Sequence, residues 1–170
     1  MYSKAKIAGH PLHPMLVGLP ITFYLITLGC FAAALAGAGA LWFRMGVYSN
    51  LAAILLALLA ALPGFIDWAV GVPRNSPAKR TGRSHMLLNV GALLAFVANF
   101  YEQWPRRLHA PMDEWSSVVL PALGVVLVMR AGALGWKMVQ KHHVGVELTP
   151  EQERIERGET SRAAVEPDPR

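Results

Sequence analysis

Four long apolar stretches separated by short polar segments set the pattern of this chain. They cover residues 14–36, 45–72, 84–101 and 115–139. A membrane-crossing helix needs about 20 mainly apolar residues, and each stretch approaches or exceeds that length. The pattern predicts an all-α protein, an integral membrane four-helix bundle filling residues 1–146. The linkers carry turn chemistry: small residues over 37–40, then VPRNSPAKRTGR, then EQWPRRLHAPMDE. Beyond the fourth stretch, Thr149, Pro150 and Gln152 resemble a capping box with proline at the first helical position. They predict a short helix over 150–157 in a cytosolic tail, 147–170, whose last residues have a disordered composition.

Composition agrees with this pattern and orients it. Hydrophobic residues make up 54% of the chain and charged residues 16%. Soluble domains average about 25% charged, so a soluble fold would lack polar surface. The net charge is +5, yet the tail holds seven acidic residues against four arginines. The excess of basic residues therefore belongs to the helical part, where a membrane surface is its natural partner, not nucleic acid. With four spans, the N-terminus, second loop and C-terminus share one side, carrying Lys4, Lys6, Arg74, Lys79, Arg80, Arg83, Lys137 and Lys141. The other side carries Arg44, Arg106 and Arg107, beside Glu102, Asp113 and Glu114. The positive-inside rule then puts both termini in the cytoplasm and the protein in the cell inner membrane, as a multi-pass chain. Trp42, Trp104 and Trp115 mark the outer interface, and Trp68 and Trp136 the inner one. The basic start and Ala38-Gly39-Ala40 mimic a signal peptide, but the apolar run exceeds the usual length of about 7–15 residues. It reads as an uncleaved first helix. The single cysteine, Cys30, cannot form an internal disulfide and leaves the redox compartment unread.

Small residues four apart — Ala33 and Gly37, Gly91 and Ala95, Ala131 and Gly135 — predict close helix approach. Pro63-Gly64 predicts a kink in the second helix, since Pro63 removes a donor and crowds the Leu59 carbonyl.

Topology gathers candidate chemistry at the inner end. His10 and His13 precede the first helix, Asp67 ends the second, His85 opens the third, and His142 and His143 follow the fourth. Asn89 lies one turn from His85 on the same face, about 6 Å deeper. Arg130 interrupts the fourth apolar stretch, and an intramembrane charge costs several kcal/mol unless paired or snorkelling. Arg130 and Asp67 both lie about 10 Å inside the inner boundary and are expected to pair or share a pocket. Neutral imidazole ligates transition metals and haem. His10, His13, His85 and His142 are therefore candidate ligands of a transition metal or haem b, with Asp67 and Asn89 orienting them. The plain alternative is that His10 and His13 cap the first helix or meet lipid headgroups. His109 falls on the outer side, where only helix packing is expected, and His143 reads as a solvated neighbour.

The run Gly9-His10-Pro11-Leu12-His13-Pro14-Met15-Leu16-Val17, followed by Leu19-Pro20-Ile21, resembles the opening signature of a bacterial family of membrane proteins, domain of unknown function 2231. Pro63-Gly64-Phe65-Ile66-Asp67, His85-Met86-Leu87-Leu88-Asn89, and Gly135 with Lys141-His142-His143-Val144-Gly145-Val146 resemble its later segments in order. The resemblance covers about residues 9–146 and implies a four-helix membrane fold without implying an activity. Relatives that look fused to Rieske-type iron–sulfur or cytochrome modules suggest electron transfer. His143 stands where the family usually has glycine, and the lone Arg130 departs from the pattern.

Three functions follow as expectations. The first is a redox or metal-binding membrane protein, partnered by the bilayer and by redox proteins. The second is a small oligomeric transporter or channel using Asp67 and Arg130. The third is a non-catalytic accessory or scaffold subunit. No nucleophile elbow, phosphate loop or zinc-protease motif points to a hydrolase.

Overall fold

The computed structural model describes residues 3–110, 115–146 and 148–158. Asp113, Glu114 and the tail beyond Gly158 lie outside the described residues. Among the described residues six α-helices occur in order: α1 Leu12–Leu16, α2 Gly18–Leu35, α3 Ala40–Ile66, α4 Pro77–Gln103, α5 Ser116–His142 and α6 Pro150–Glu156. The first two are nearly continuous and form one span, Leu12–Leu35. Among the described residues four helices are long and apolar enough to cross a membrane: this one, α3 with its extension to Gly71, α4 and α5. Their outward faces are apolar, with Leu25, Leu55, Leu62, Leu87, Leu94 and Val126 exposed. Asn50, Asn99 and Gln103 are fully buried. A greasy outside around a partly polar inside suits lipid, which gives apolar side chains no reason to hide and polar ones every reason to.

The helices form two antiparallel hairpins. α2 packs along α3 and α4 along α5, and the hairpins meet through α2 against α5 and α3 against α4. α3 and α5 therefore sit diagonally. Two aromatic rings fix the spacing within the bundle. Phe31 lies over Gly46 and Phe96 over Gly124, where an added Cβ would come within 2.9 Å and 2.5 Å of the rings. Among the predicted small-residue pairs, Gly135 seats a neighbour closely, whereas Gly91 is approached only to ordinary contact by Leu127. Gly37 does not pack at all; it ends α2 with φ +87°, a conformation L-residues resist.

The two hairpins follow one plan. Buried positions Pro20, Tyr24, Thr27 and Phe31 of α2 recur 72 residues later as Ala92, Phe96, Asn99 and Gln103 of α4. Buried Gly46, Asn50, Ala53 and Ala60 of α3 recur 71 residues later as Ser117, Pro121, Gly124 and Ala131 of α5. Tyr24 and Phe96, equivalent residues, stack on each other with ring centroids 3.9 Å apart. Equivalent residues that touch must lie on the axis relating the halves, so the bundle has an approximate two-fold axis along its length.

α3 starts at Ala40 and α5 ends at His142, five and three residues beyond the expected bounds, and two further helix ends differ in kind. α3 runs through Pro63 to Ile66 and then widens into a π turn, Asp67–Gly71. α4 starts at Pro77, within the predicted linker, because Ser76 caps it by accepting from the Lys79 N–H and proline occupies its first turn. Trp68 and Lys79 lock these two ends together. The Lys79 ammonium donates to the carbonyls of Trp68, Ala69 and Val72 at the end of the second span, and lies 4.1 Å over the Trp68 ring. Trp68 Nε1 donates back to the Lys79 carbonyl at 3.2 Å. A cation on the last carbonyls of a helix is favourable in sign, since those oxygens carry its negative end. At the end of α5, His143 takes a left-handed conformation, φ +50°, and the Val144 N–H bonds the Met138 carbonyl. That backbone explains why glycine is the residue to expect at this position.

Candidate functional site

Ahead of α1, a two-residue strand pair, β1 Lys6–Ile7 and β2 His10–Pro11, turns at Ala8 and Gly9, both with positive φ. The turn sends Pro11 into α1, and the first helical turn carries His13 into the bundle. His13 Nδ1 lies 2.9 Å from the Ala60 carbonyl of α3. The carbonyl can only accept, so Nδ1 carries the proton and donates. The ring rests on Gly64, where a Cβ would come within 2.6 Å of Nδ1. Any larger residue at position 64 would occupy the space of the imidazole.

The second hairpin repeats this arrangement. His85 Nδ1 donates to the Ala131 carbonyl of α5 at 2.8 Å. Its ring rests on Gly135, where a Cβ would meet Cε1 at 3.2 Å. In both cases an imidazole sits on a glycine and bonds the carbonyl of the alanine four residues before it. His13 and His85 are themselves equivalents, 72 residues apart. Their rings face each other edge to face, with centroids 6.5 Å apart and planes at 88°. They join Tyr24 and Phe96 on the two-fold axis, nearer the end of the bundle that carries the termini.

Asn89 breaks the symmetry. Its Nδ2 donates to the His85 carbonyl at 2.9 Å and lies 3.2 Å from His85 Nε2. With Nδ1 protonated, Nε2 of neutral His85 is the acceptor of that second contact. The equivalent of Asn89 in the first hairpin is Val17, and no hydrogen bond to His13 Nε2 occurs among the described residues. Both rings therefore present Nε2 as the lone-pair nitrogen, with that of His13 the less engaged.

The other predicted site residues do not converge with this pair. His10 is exposed on the hairpin and bonds the nearby Ala8 carbonyl. His142 lies near the end of α5, two turns beyond Gly135, with Nε2 3.4 Å from the Thr81 hydroxyl. Among the described residues no group of three or more His, Cys, Asp or Glu side chains stands close enough to hold a metal ion. Of the four histidines read as candidate ligands, His13 and His85 meet, and His10 and His142 lie apart from them.

The Asp67–Arg130 pair does not form. Asp67 instead receives the backbone N–H groups of Lys4 at 2.6 Å and Ala5 at 2.9 Å, and the Ser3 hydroxyl at 2.8 and 3.0 Å. Its carboxylate ties the N-terminal segment to the end of the second span. Arg130 is exposed on the outer face of α5, diagonal to α3, and has no hydrogen-bond or ion-pair partner among the described residues. Similar depth along two helices did not place the residues on facing sides. Replacing Asp67 by alanine is expected to release residues 3–5, with faster backbone hydrogen exchange at Lys4 and Ala5. The stability loss should be about 1–2 kcal/mol, low in the range for bonds to a charged group because the site is half-exposed. Asp67→Asn, which keeps one acceptor oxygen, should lose less.

The family model described as Predicted membrane protein (DUF2231) matches residues 9–148. The chain belongs to this family. The match spans all four long helices and includes His13, His85, Asn89 and Asp67. Neither a comparison with curated proteins nor one with solved structures found a match. As a member of this family the chain is a predicted membrane protein with four candidate spans, the bilayer being its surroundings.

Sequence reasoning missed the seats of the histidines, Gly64 and Gly135, and the Trp68–Lys79 lock. It also treated the end of the bundle far from the termini as packing alone. The structure buries Asn50, Asn99 and Gln103 there. Their signal was present: three amide side chains inside or at the edge of apolar stretches.

Proposed function

We propose that His13 and His85 together bind one transition-metal ion, free or as the iron of haem b, and that the chain serves as a membrane electron-transfer element. The observation carrying this reading is the shared arrangement of the two rings: each commits Nδ1–H to a main-chain carbonyl and leaves Nε2 as its lone-pair nitrogen, that of His85 facing Asn89. Metal-bound histidines typically show that second hydrogen bond, which fixes the tautomer and raises basicity. Two imidazoles sharing one metal at about 2.0–2.1 Å per nitrogen would have centroids roughly 5–6.5 Å apart. The observed 6.5 Å lies at the long end of that range, so His13 and His85 are the residues that would hold the ion. Binding would require Asn89 to release His85 Nε2. With two protein ligands, porphyrin nitrogens or exogenous ligands would complete the shell. Iron or copper so held supplies one-electron chemistry. In this reading the basic loops place both termini in the cytoplasm of the inner membrane, with a redox protein as partner.

The test is the absorption spectrum and metal content of protein purified from membranes in mild detergent. About one metal per chain is expected, lost in His13→Ala and in His85→Ala with helical circular dichroism unchanged. No Soret band together with no stoichiometric metal would sink the proposal. Reconstituted ion flux without metal would favour the transporter reading instead.

A further inference from the structure

The half of the bundle far from the termini holds a second polar site, independent of the histidine pair. Asn50 lies on α3 between buried Val47 and Ala53, and Asn99 on α4 one turn beyond Phe96. Thr27 occupies the matching level of α2, between Tyr24 and Phe31. These residues form a polar layer between two apolar clusters, one built on Tyr24, Ala53 and Phe96, the other on Phe31, Phe43 and Val47. Asn50, Asn99 and Gln103 are each 0% exposed. Both side-chain polar atoms of Asn50, both of Asn99, and Gln103 Oε1 have no hydrogen-bond partner among the described residues. Burying even one amide without a partner is costly, and lipid offers no relief.

The chemistry of the unpartnered atoms defines their ligand. The nitrogens are donors and the oxygens acceptors. A cation would serve only the oxygens and an anion only the nitrogens. A small neutral molecule that both donates and accepts serves both. We infer that Asn50, Asn99 and Gln103 line an internal site for a cluster of water molecules. A polar ladder links it to the far surface. Gln103 Nε2 donates to the Ser116 hydroxyl at 3.3 Å, and that hydroxyl donates to Glu102 Oε1 at 2.7 Å. Glu102 is part-exposed and lies 3.4 Å from Arg106. Toward the termini the layer ends at the stacked Tyr24 and Phe96 rings. The site is thus a hydrated inlet open to the far face and closed above the histidines. Buried waters typically serve such groups, making about three hydrogen bonds each.

Solid-state NMR of the full chain in lipid bilayers tests this directly. The Asn50 and Asn99 side-chain amides, assigned through Asn50→Leu and Asn99→Leu, should give cross-peaks to water. Cross-peaks between the two amides alone would overturn the inference in favour of a dry asparagine pair. Shifts that follow sodium or potassium concentration would overturn it in favour of a cation site. Stability is the second measurement. Asn99→Leu should lower the half-unfolding temperature by several degrees, because the waters and Asn50 lose a partner. A higher half-unfolding temperature would mean that the amide was unsatisfied and dry, and would also overturn the inference. None of these outcomes depends on metal at His13 and His85.

Discussion

Leucine in place of Gly124 is expected to prevent the bundle from assembling. A Cβ at this position would lie 2.5 Å and 2.8 Å from two atoms of the Phe96 ring. Phe96 is fully buried, and its other face is stacked on Tyr24 at 3.9 Å, so it has no route of retreat. Overpacking of this kind costs about 1–3 kcal/mol for small additions and more for large ones. Gly124→Ala should therefore be destabilised by about 1–3 kcal/mol, and Gly124→Leu by more than about 3 kcal/mol, a large share of a typical 5–15 kcal/mol total. Thermal unfolding in detergent, with yield of monodisperse protein, measures both. Gly132→Leu is the control: a Cβ there meets nothing within 4 Å, so this variant should behave like the parent. Equal tolerance at positions 124 and 132 would show that α4 and α5 do not pack against each other as described.

Alanine in place of Gly64 should have the second-largest effect, and a more local one. The new methyl would stand 2.6 Å from His13 Nδ1 and 2.7 Å from Cε1, inside the seat of the ring. His13 would have to leave, breaking its bond to the Ala60 carbonyl. Displacing a packed ring and losing a hydrogen bond of about 1 kcal/mol together predict a loss of roughly 2–4 kcal/mol. Imidazole nitrogen NMR should show His13 losing its fixed tautomer while His85 keeps its own. Gly135→Ala is the graded comparison. Its methyl would meet His85 Cε1 at 3.2 Å, a contact that a shift of a few tenths of an ångström relieves. If the pair holds a metal, Gly64→Ala should lose it as fully as His13→Ala does, and Gly135→Ala only in part. An unchanged His13 signal in Gly64→Ala would remove the ring from its assigned seat.

The polar layer bears on transport as well. Both halves of the bundle contain polar groups, although the sequence led us to expect packing alone in the outer half. The Tyr24–Phe96 stack, however, separates them with two aromatic faces in contact. In this arrangement water enters from one end and the histidines belong to the other.

Much of the architecture was legible because lipid imposes a simple rule. Backbone groups must be satisfied within each crossing segment, so length and apolar composition alone mark the helices. Four candidate spans and the membrane setting were legible in this way, and the family was legible in its opening motif around His10 and His13. Side-chain direction was not legible, because outward and inward faces of a membrane helix are both apolar. Arg130 and Asp67 matched in depth, yet one faces away from the bundle and the other binds the N-terminal segment. The internal repeat was hidden for a related reason. Apart from His13 and His85, Ala60 and Ala131, and Gly64 and Gly135, the equivalent positions named above share burial and not identity, as with Tyr24 and Phe96 or Thr27 and Asn99. Only the tertiary structure decided which two of four candidate histidines meet, because that depends on which helices are neighbours and which carbonyl lies over a glycine.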